Sequence, residues 1–146
     1  MQGEAEKLFH RGIKSVHAGD TLAALAFLEK AFRIDDSPAV CSYLAYCIAK
    51  ERGQVAKAIA LCEDAVKKDP SNAVHYLNLG RIYLIDRKKT AAVDAFREGL
   101  KHEMNPYIID ELHRLGLRKP PVIPFLKRSN PVNKYLGLFL SRLRLR

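Results

Sequence analysis

The feature that most constrains this chain is a repeat with a period of 34 residues. Shifted by 34 positions, the sequence matches itself without a gap over residues 5–38, 39–72 and 73–106. A period of this length is typical of one helical or mixed unit that recurs along the chain and stacks on its neighbours. Small residues hold fixed places in the repeat. The positions that define the register are Ala24, Ala58 and Ala92; Ala31, Ala65 and Gly99; and Leu28, Cys62 and Phe96.

Each unit predicts two helices. In the third unit, Tyr76, Leu79, Gly80 and Tyr83 have the spacing of one helix face, and a second amphipathic stretch follows a short break. Proline and capping residues such as Ser and Asn end one unit and start the next, because proline interrupts a helix interior. The small residues in fixed positions allow two helices to cross closely. The sequence therefore predicts an all-α fold.

The pattern resembles that of the tetratricopeptide repeat family. The third unit carries the family's hallmark residues best, and the earlier units depart from them at Arg11, Ser15, Ser42 and Tyr46. The resemblance implies a right-handed α–α superhelix of three helix pairs within residues 1–116. Residues 107–116 are predicted to form a capping helix, with Ile108, Leu112 and Leu115 as its apolar stripe and Gly116 at its end. The hallmark residues of the third unit are Tyr76, Leu79, Gly80, Tyr83, Ala92 and Phe96.

Residues 117–146 have a different composition. The formal net charge of the chain is +9, and from Leu117 onward there are eight basic residues and no acidic one. Prolines in 119–124 predict an extended segment, and residues 131–143 predict an amphipathic terminal helix. This tail is loosely similar to those of short bacterial tetratricopeptide proteins. We expect it to dock on its own array; the alternatives are a homo-oligomer formed through the terminal helix, or contact with anionic membrane or nucleic acid. The residues for such an anionic contact are Lys127, Arg128, Lys134, Arg142, Arg144 and Arg146.

No residue pattern in the sequence predicts catalysis. The five histidines and three cysteines lack metal-ligand spacing, and the glycines form no phosphate-binding loop. We therefore expect no enzyme activity, no cofactor and no metal. The absence of a secretory pattern and of a long apolar run, with an odd number of cysteines, favours a cytoplasmic protein that does not cross a membrane.

The resemblance also implies a binding surface. In this family, the first helices of successive pairs line a concave groove that holds a peptide or a helix of another protein. Transferred to this sequence, the groove predicts a non-catalytic interaction module, with Arg81 suited to a carboxylate and Tyr43 to a flat contact. The alternative is that these residues pack within the array or under the tail. The groove residues are Phe9, Ile13, His17, Tyr43, Cys47, Lys50, Leu77, Arg81 and Leu84.

Overall fold

The computed structural model describes residues 2–116, and this part of the chain consists of helices joined by short connections. Short connections join consecutive helices into three antiparallel pairs, α1–α2, α3–α4 and α5–α6, and a shorter seventh helix follows. The predicted all-α helical repeat is confirmed. The terminal extended segment, the helix at 131–143 and the six basic residues proposed for anionic contacts lie outside the described residues. The helices are α1 (Gln2–His17), α2 (Thr21–Ile34), α3 (Pro38–Arg52), α4 (Val55–Lys68), α5 (Ala73–Ile85), α6 (Lys89–His102) and α7 (Pro106–Arg114).

The helix ends follow the stop and cap residues of the sequence. Pro38 and Pro106 stand in the first turns of α3 and α7. The Asn72 and Asn105 side chains accept hydrogen bonds from the first free backbone N–H groups of α5 and α7. Ser37 stands at the corresponding place before α3 but makes no side-chain cap. The α7 helix ends at Arg114, two residues earlier than the sequence predicted.

The turn inside each pair uses left-handed backbone at the same repeat position. Gly19 has φ +81°, Gly53 has φ +67°, and Arg87, 34 residues further on, has φ +59°. Glycine adopts this conformation without steric cost, whereas Arg87 carries a Cβ atom that crowds the following carbonyl oxygen. The third turn therefore keeps the backbone geometry of the other two despite an unfavourable residue.

Small residues allow the two helices of a pair to cross closely. A Cβ atom on Gly12 would lie 2.7 Å from Cγ of Leu28. On Gly99, where the earlier units have alanine, a Cβ atom would lie 2.8 Å from Cδ1 of Ile108 and 2.9 Å from Cβ of Tyr76. Real Cβ atoms essentially never lie this close to another atom, so a side chain at either position would force its neighbours to shift.

A buried polar network joins the second pair to the third. The carboxylate of Asp69 accepts a hydrogen bond from Nε2 of His75 at 3.0 Å, which leaves Nδ1 to accept one from the Ser42 hydroxyl at 2.9 Å. Asn78 donates to the same Ser42 oxygen at 3.3 Å. Ser42, His75 and Asn78 are fully buried. Because buried polar groups are costly unless paired, this network fixes the register of α3 against α5.

The α7 helix covers the open end of the third pair. Ile108 and Ile109 are buried in one cluster with Leu77, Phe96 and Leu100. Leu112 and Leu115 pack against this cluster from its edge. The apolar stripe predicted for residues 107–116 is therefore the surface that α7 buries, as a capping helix requires.

Candidate protein-binding site

Side chains from four helices meet around Arg81. Its Nε donates a hydrogen bond to Oε2 of Glu111 at 2.7 Å, and both side chains are largely buried. Its guanidinium carbon lies 5.5 Å from the centre of the Tyr46 ring, within the range of a cation–π contact. The group therefore lies between an aromatic ring of α3 and a carboxylate of α7. We call the set defined by Phe9, His17, Tyr43, Tyr46, Arg81, Tyr107 and Glu111 the Arg81 cluster.

Two aromatic contacts extend the Arg81 cluster to α1. The Phe9 ring packs edge-on against Tyr43, with 5.9 Å between ring centres. The His17 ring stacks on Tyr107, with 4.5 Å between centres and 17° between planes. The contact between His17 and Tyr107 brings the end of α1 to the start of α7, so the first and last described helices meet beside Arg81.

Burial and the positive charge of Arg81 both change the pKa values of neighbouring side chains. Partial desolvation lowers the pKa of the largely exposed His17 below the ordinary value of 6.5, and the positive charge of Arg81 lowers it further. Burial raises the pKa of Tyr43 and of Tyr46, while Arg81 acts in the opposite direction on both. The Arg81 cluster is thus a partly desolvated aromatic surface with one cation and one anion at its centre.

Three of the predicted groove residues are buried. Tyr43 and Cys47 belong to the core cluster built around α3, and Leu77 belongs to the cluster under α7. Packing within the array, the alternative that the sequence left open, therefore accounts for the apolar side chains of Tyr43 and Leu77. Arg81 also has an internal partner, Glu111, where the sequence predicted a free anchor for a carboxylate.

The remaining predicted residues stay accessible to different degrees. Phe9, Ile13 and Leu84 are half-buried, and His17 and Lys50 are exposed. Ile13 packs on the edge of the α3 core, and Leu84 packs on the edge of the α7 core. The side of the array that carries these residues therefore offers a partner fewer apolar groups than expected, spread over α1, α3 and α5.

Three residues of the Arg81 cluster were not predicted from the sequence. Tyr46 occupies the repeat position at which the other units have glycine, and that departure was the available signal. Tyr107 and Glu111 lie on α7 beside its apolar stripe, and Tyr107 is 44% exposed. The repeat pattern gives no signal for Tyr107 and Glu111, because α7 comes after the last repeat.

Arg81 retains one unsatisfied donor. Its Nη1 atom is buried and has no hydrogen-bond partner among residues 2–116. A buried unpaired donor costs about 1–3 kcal/mol, more when the group is charged. Because the atom is buried, an acceptor such as a carboxylate or a peptide carbonyl reaches Nη1 only if the side chains that cover it move.

The cysteines are in environments that favour the protonated thiol. Burial raises the pKa of Cys47 to about 12, with a further contribution from Glu51, and burial also raises the pKa of Cys62. Cys41 is also buried, and it donates its S–H to the carbonyl oxygen of Asp36. A thiol that stays protonated is a poor nucleophile, so packing accounts for all three residues.

The line from Ser42 through His75 to Asp69 has the order of a nucleophile, a base and an orienting carboxylate. However, Ser42 and His75 are both fully buried, so no substrate reaches the Ser42 oxygen in this arrangement. The geometry fits the role described above, the pairing of α3 with α5. Within the described part of the chain, no group of three His, Cys, Asp or Glu side chains is placed to hold a metal ion.

The stacked helix pairs place the chain in the class of helical repeat proteins. Residues 61–94, from the middle of α4 to the first half of α6, match the family model described as tetratricopeptide repeat. The chain therefore contains a tetratricopeptide repeat, and the resemblance seen in the sequence is confirmed for this segment. A comparison with curated proteins gave no match. Among residues 2–116, we find no helix with the length and apolarity needed to span a bilayer.

Tetratricopeptide repeat proteins are in general non-catalytic scaffolds that bind other proteins. The fold and the family thus support a protein–protein interaction module, with another protein as its kind of partner.

Proposed function

We propose that the protein binds an extended peptide or a helix of another protein along its first helices, across the Arg81 cluster. The observation that carries this proposal is the gathering of aromatic rings from α1, α3 and α7 around Arg81, whose Nη1 lacks a partner among the described residues. Aromatic and arginine side chains are enriched among the residues that contribute most to protein interfaces, where they fill well-packed, desolvated pockets. The cytoplasmic location expected from the sequence stays a prediction.

The proposed contact surface follows from what remains accessible. Phe9, Ile13 and Leu84 supply apolar area, Lys50 supplies a positive charge, and the ring of Tyr107 is almost half exposed. Tyr43, Cys47 and Leu77 support this surface from beneath and do not contact the partner. Because Glu111 already pairs with Arg81, we expect a partner to bind Arg81 through a peptide carbonyl or to displace Glu111 with its own carboxylate.

The experiment compares two double variants of the full chain. One is Phe9→Ala with Lys50→Glu, on the proposed surface. The other is Leu22→Ala with Lys30→Glu, which makes the same kinds of change on α2, where both side chains are exposed. The co-purifying partner is identified with the unaltered chain, and its affinity for each variant is measured by titration.

We expect the first variant to bind the partner at least about tenfold more weakly, the equivalent of about 1.4 kcal/mol. The second variant is expected to bind like the unaltered chain, with both variants equally folded by circular dichroism. Equal binding by the two variants contradicts the proposed surface and leaves the repeat fold intact.

A further inference from the structure

An apolar cleft that shares no residue with the Arg81 cluster lies between α2 and α4. Its volume is about 580 Å³, within the range of binding pockets. Leu44 and Ile48 of α3 form its floor, and Phe32 of α2 and Leu61 of α4 line its walls. The cleft thus runs between α2 and α4, the second helices of the first two pairs, and α3 lies in the gap between them.

Phe32 is the main sign that this cleft lacks a cover. Its side chain is 38% exposed, whereas Leu100, which holds the same repeat position in the third pair, is 3% exposed. Leu100 belongs to the cluster that α7 closes with Ile108. The α3 helix holds the corresponding place against α2, but it leaves the Phe32 side chain partly exposed to solvent. Burial of this large apolar side chain by a partner would lower the free energy of the complex.

The charges around the rim are not balanced. Arg52 pairs with Glu29 at 2.9 Å, and Asp64 pairs with Lys68 at 3.0 Å, so both acidic groups of the rim already have cations. Arg33 and Lys57 also line the cleft and form no ion pair in the described part of the chain. The rim therefore presents two uncompensated positive charges beside an apolar floor.

We propose that this cleft binds a short amphipathic helix of another protein, with its apolar side chains between Phe32 and Leu61 and its carboxylates against Arg33 and Lys57. The walls are helices with no free backbone edge, so an added β-strand finds no hydrogen-bonding partner, whereas a helix needs only side-chain contacts. Both walls have 14 residues, a length of about 21 Å, which suits a helix of about four turns.

The charge of the rim argues against the chain's own tail as the occupant. From Leu117 onward the chain has eight basic residues and no acidic one. If the tail occupied the cleft, its basic residues would lie against Arg33 and Lys57, and the repulsion between like charges would lower the affinity. The carboxylates of an acidic helix from another protein would instead be attracted to Arg33 and Lys57.

The test uses two synthetic, fluorescein-labelled helical peptides of about 14 residues. They share one leucine stripe and differ only in the flanking residues, which are glutamate in one peptide and lysine in the other. Their affinities for the full chain are measured by fluorescence polarisation at low and at physiological salt. The chain is used unaltered, as the cleft variant Arg33→Glu with Lys57→Glu, and as the control Lys7→Glu with Lys89→Glu, which changes exposed residues outside the cleft.

We expect the glutamate peptide to bind the unaltered chain about tenfold more tightly than the lysine peptide, with a smaller ratio at higher salt. The cleft variant is expected to reverse that preference, and the control variant to keep it. Phe32→Ser, a change at a partly exposed residue, is expected to weaken the glutamate peptide at least about fivefold while the helical content stays unchanged.

Four outcomes overturn the proposal. Equal affinity for the two peptides contradicts the role given to the rim charges. If neither Phe32→Ser nor the cleft variant alters the affinities, the peptide binds elsewhere on the chain. A synthetic peptide of residues 131–146 that displaces the glutamate peptide assigns the cleft to the chain's own tail. Self-association in sedimentation that Phe32→Ser abolishes assigns it to a second copy.

Discussion

A Cβ atom added to Gly80 would lie 2.2 Å from Cε1 of Phe96, whose ring is fully buried. The first and second helices of the third pair thus cross at a point where one of them has no side chain at all. The crossing distance is fixed by this pair of residues, because an aromatic ring in a close-packed core cannot shift by more than a few tenths of an ångström without disturbing its neighbours.

Gly80→Ala is therefore expected to destabilise the fold. Although alanine favours helices, overpacking against Phe96 should lower the free energy of unfolding by about 1–3 kcal/mol, measured by urea denaturation. The matched control is Gly3→Ala in α1, where an added Cβ meets nothing within 4 Å. That change should leave stability equal or slightly higher. A loss of the same size in both variants would contradict the crossing argument.

Arg87→Gly should stabilise the protein. Arg87 has φ +59° at the position where Gly19 and Gly53 have positive φ, and relieving this conformation is worth about 1 kcal/mol. The reciprocal change, Gly53→Ala, should cost about as much, although no atom lies within 4 Å of an added Cβ there. Thermal unfolding of the two variants measures both effects. If Arg87→Gly lowers the melting temperature, the Arg87 side chain makes a contact that outweighs its backbone strain.

Glu111→Gln should weaken the attachment of α7. The change leaves the largely buried Arg81 cation without its anion, at a cost of about 1–3 kcal/mol. Amide hydrogen exchange of α7 should accelerate more than exchange of α3. Asp110→Asn is the control, since its pair with Arg114 is far more exposed and should contribute about 0–1 kcal/mol. Equal acceleration in both variants would mean that the Arg81 pair does not hold α7.

His17 should titrate below the ordinary histidine pKa of 6.5. Because the pKa in the folded state is lowered, the unfolded chain takes up the proton first. The contribution of His17 to stability is then complete above pH 6.5 and is lost as the pH falls through the folded value. Since Arg81 supplies part of this shift, Arg81→Gln should raise the His17 pKa, as followed by NMR titration of the imidazole. Arg97→Gln, on α6, should leave it unchanged.

The helix pairs were predictable because they depend on local chemistry that the repeat displays directly. Prolines at 38 and 106, the asparagine caps and the glycines of the turns each act within one turn of a helix. The close crossing at Gly12 and Leu28 was also predictable, since a glycine and a large residue return at the same repeat positions in the third unit, as Gly80 and Phe96. These features need no knowledge of how one pair meets the next.

The surfaces were harder to predict because they depend on how the pairs and α7 come together. Leu77 has the position of a groove residue, yet Ile108 and Ile109 of α7 join it in one buried cluster. Tyr107 reaches His17, 90 positions earlier in the chain, a contact that no periodicity encodes. The exposure of Phe32 depends on the gap between α2 and α4, which the repeat pattern does not specify.

The hydrogen-bonded seam of Ser42, His75 and Asn78 makes the modules of this solenoid non-interchangeable. At the positions that correspond to Ser42 and His75, the junction between the first two modules has Leu8 and Cys41 instead. If the third module followed the first directly, His75 would face a leucine and its buried ring nitrogen would lose its hydroxyl donor. A gene duplication or shuffling event that separates the second module from the third would therefore remove these hydrogen bonds.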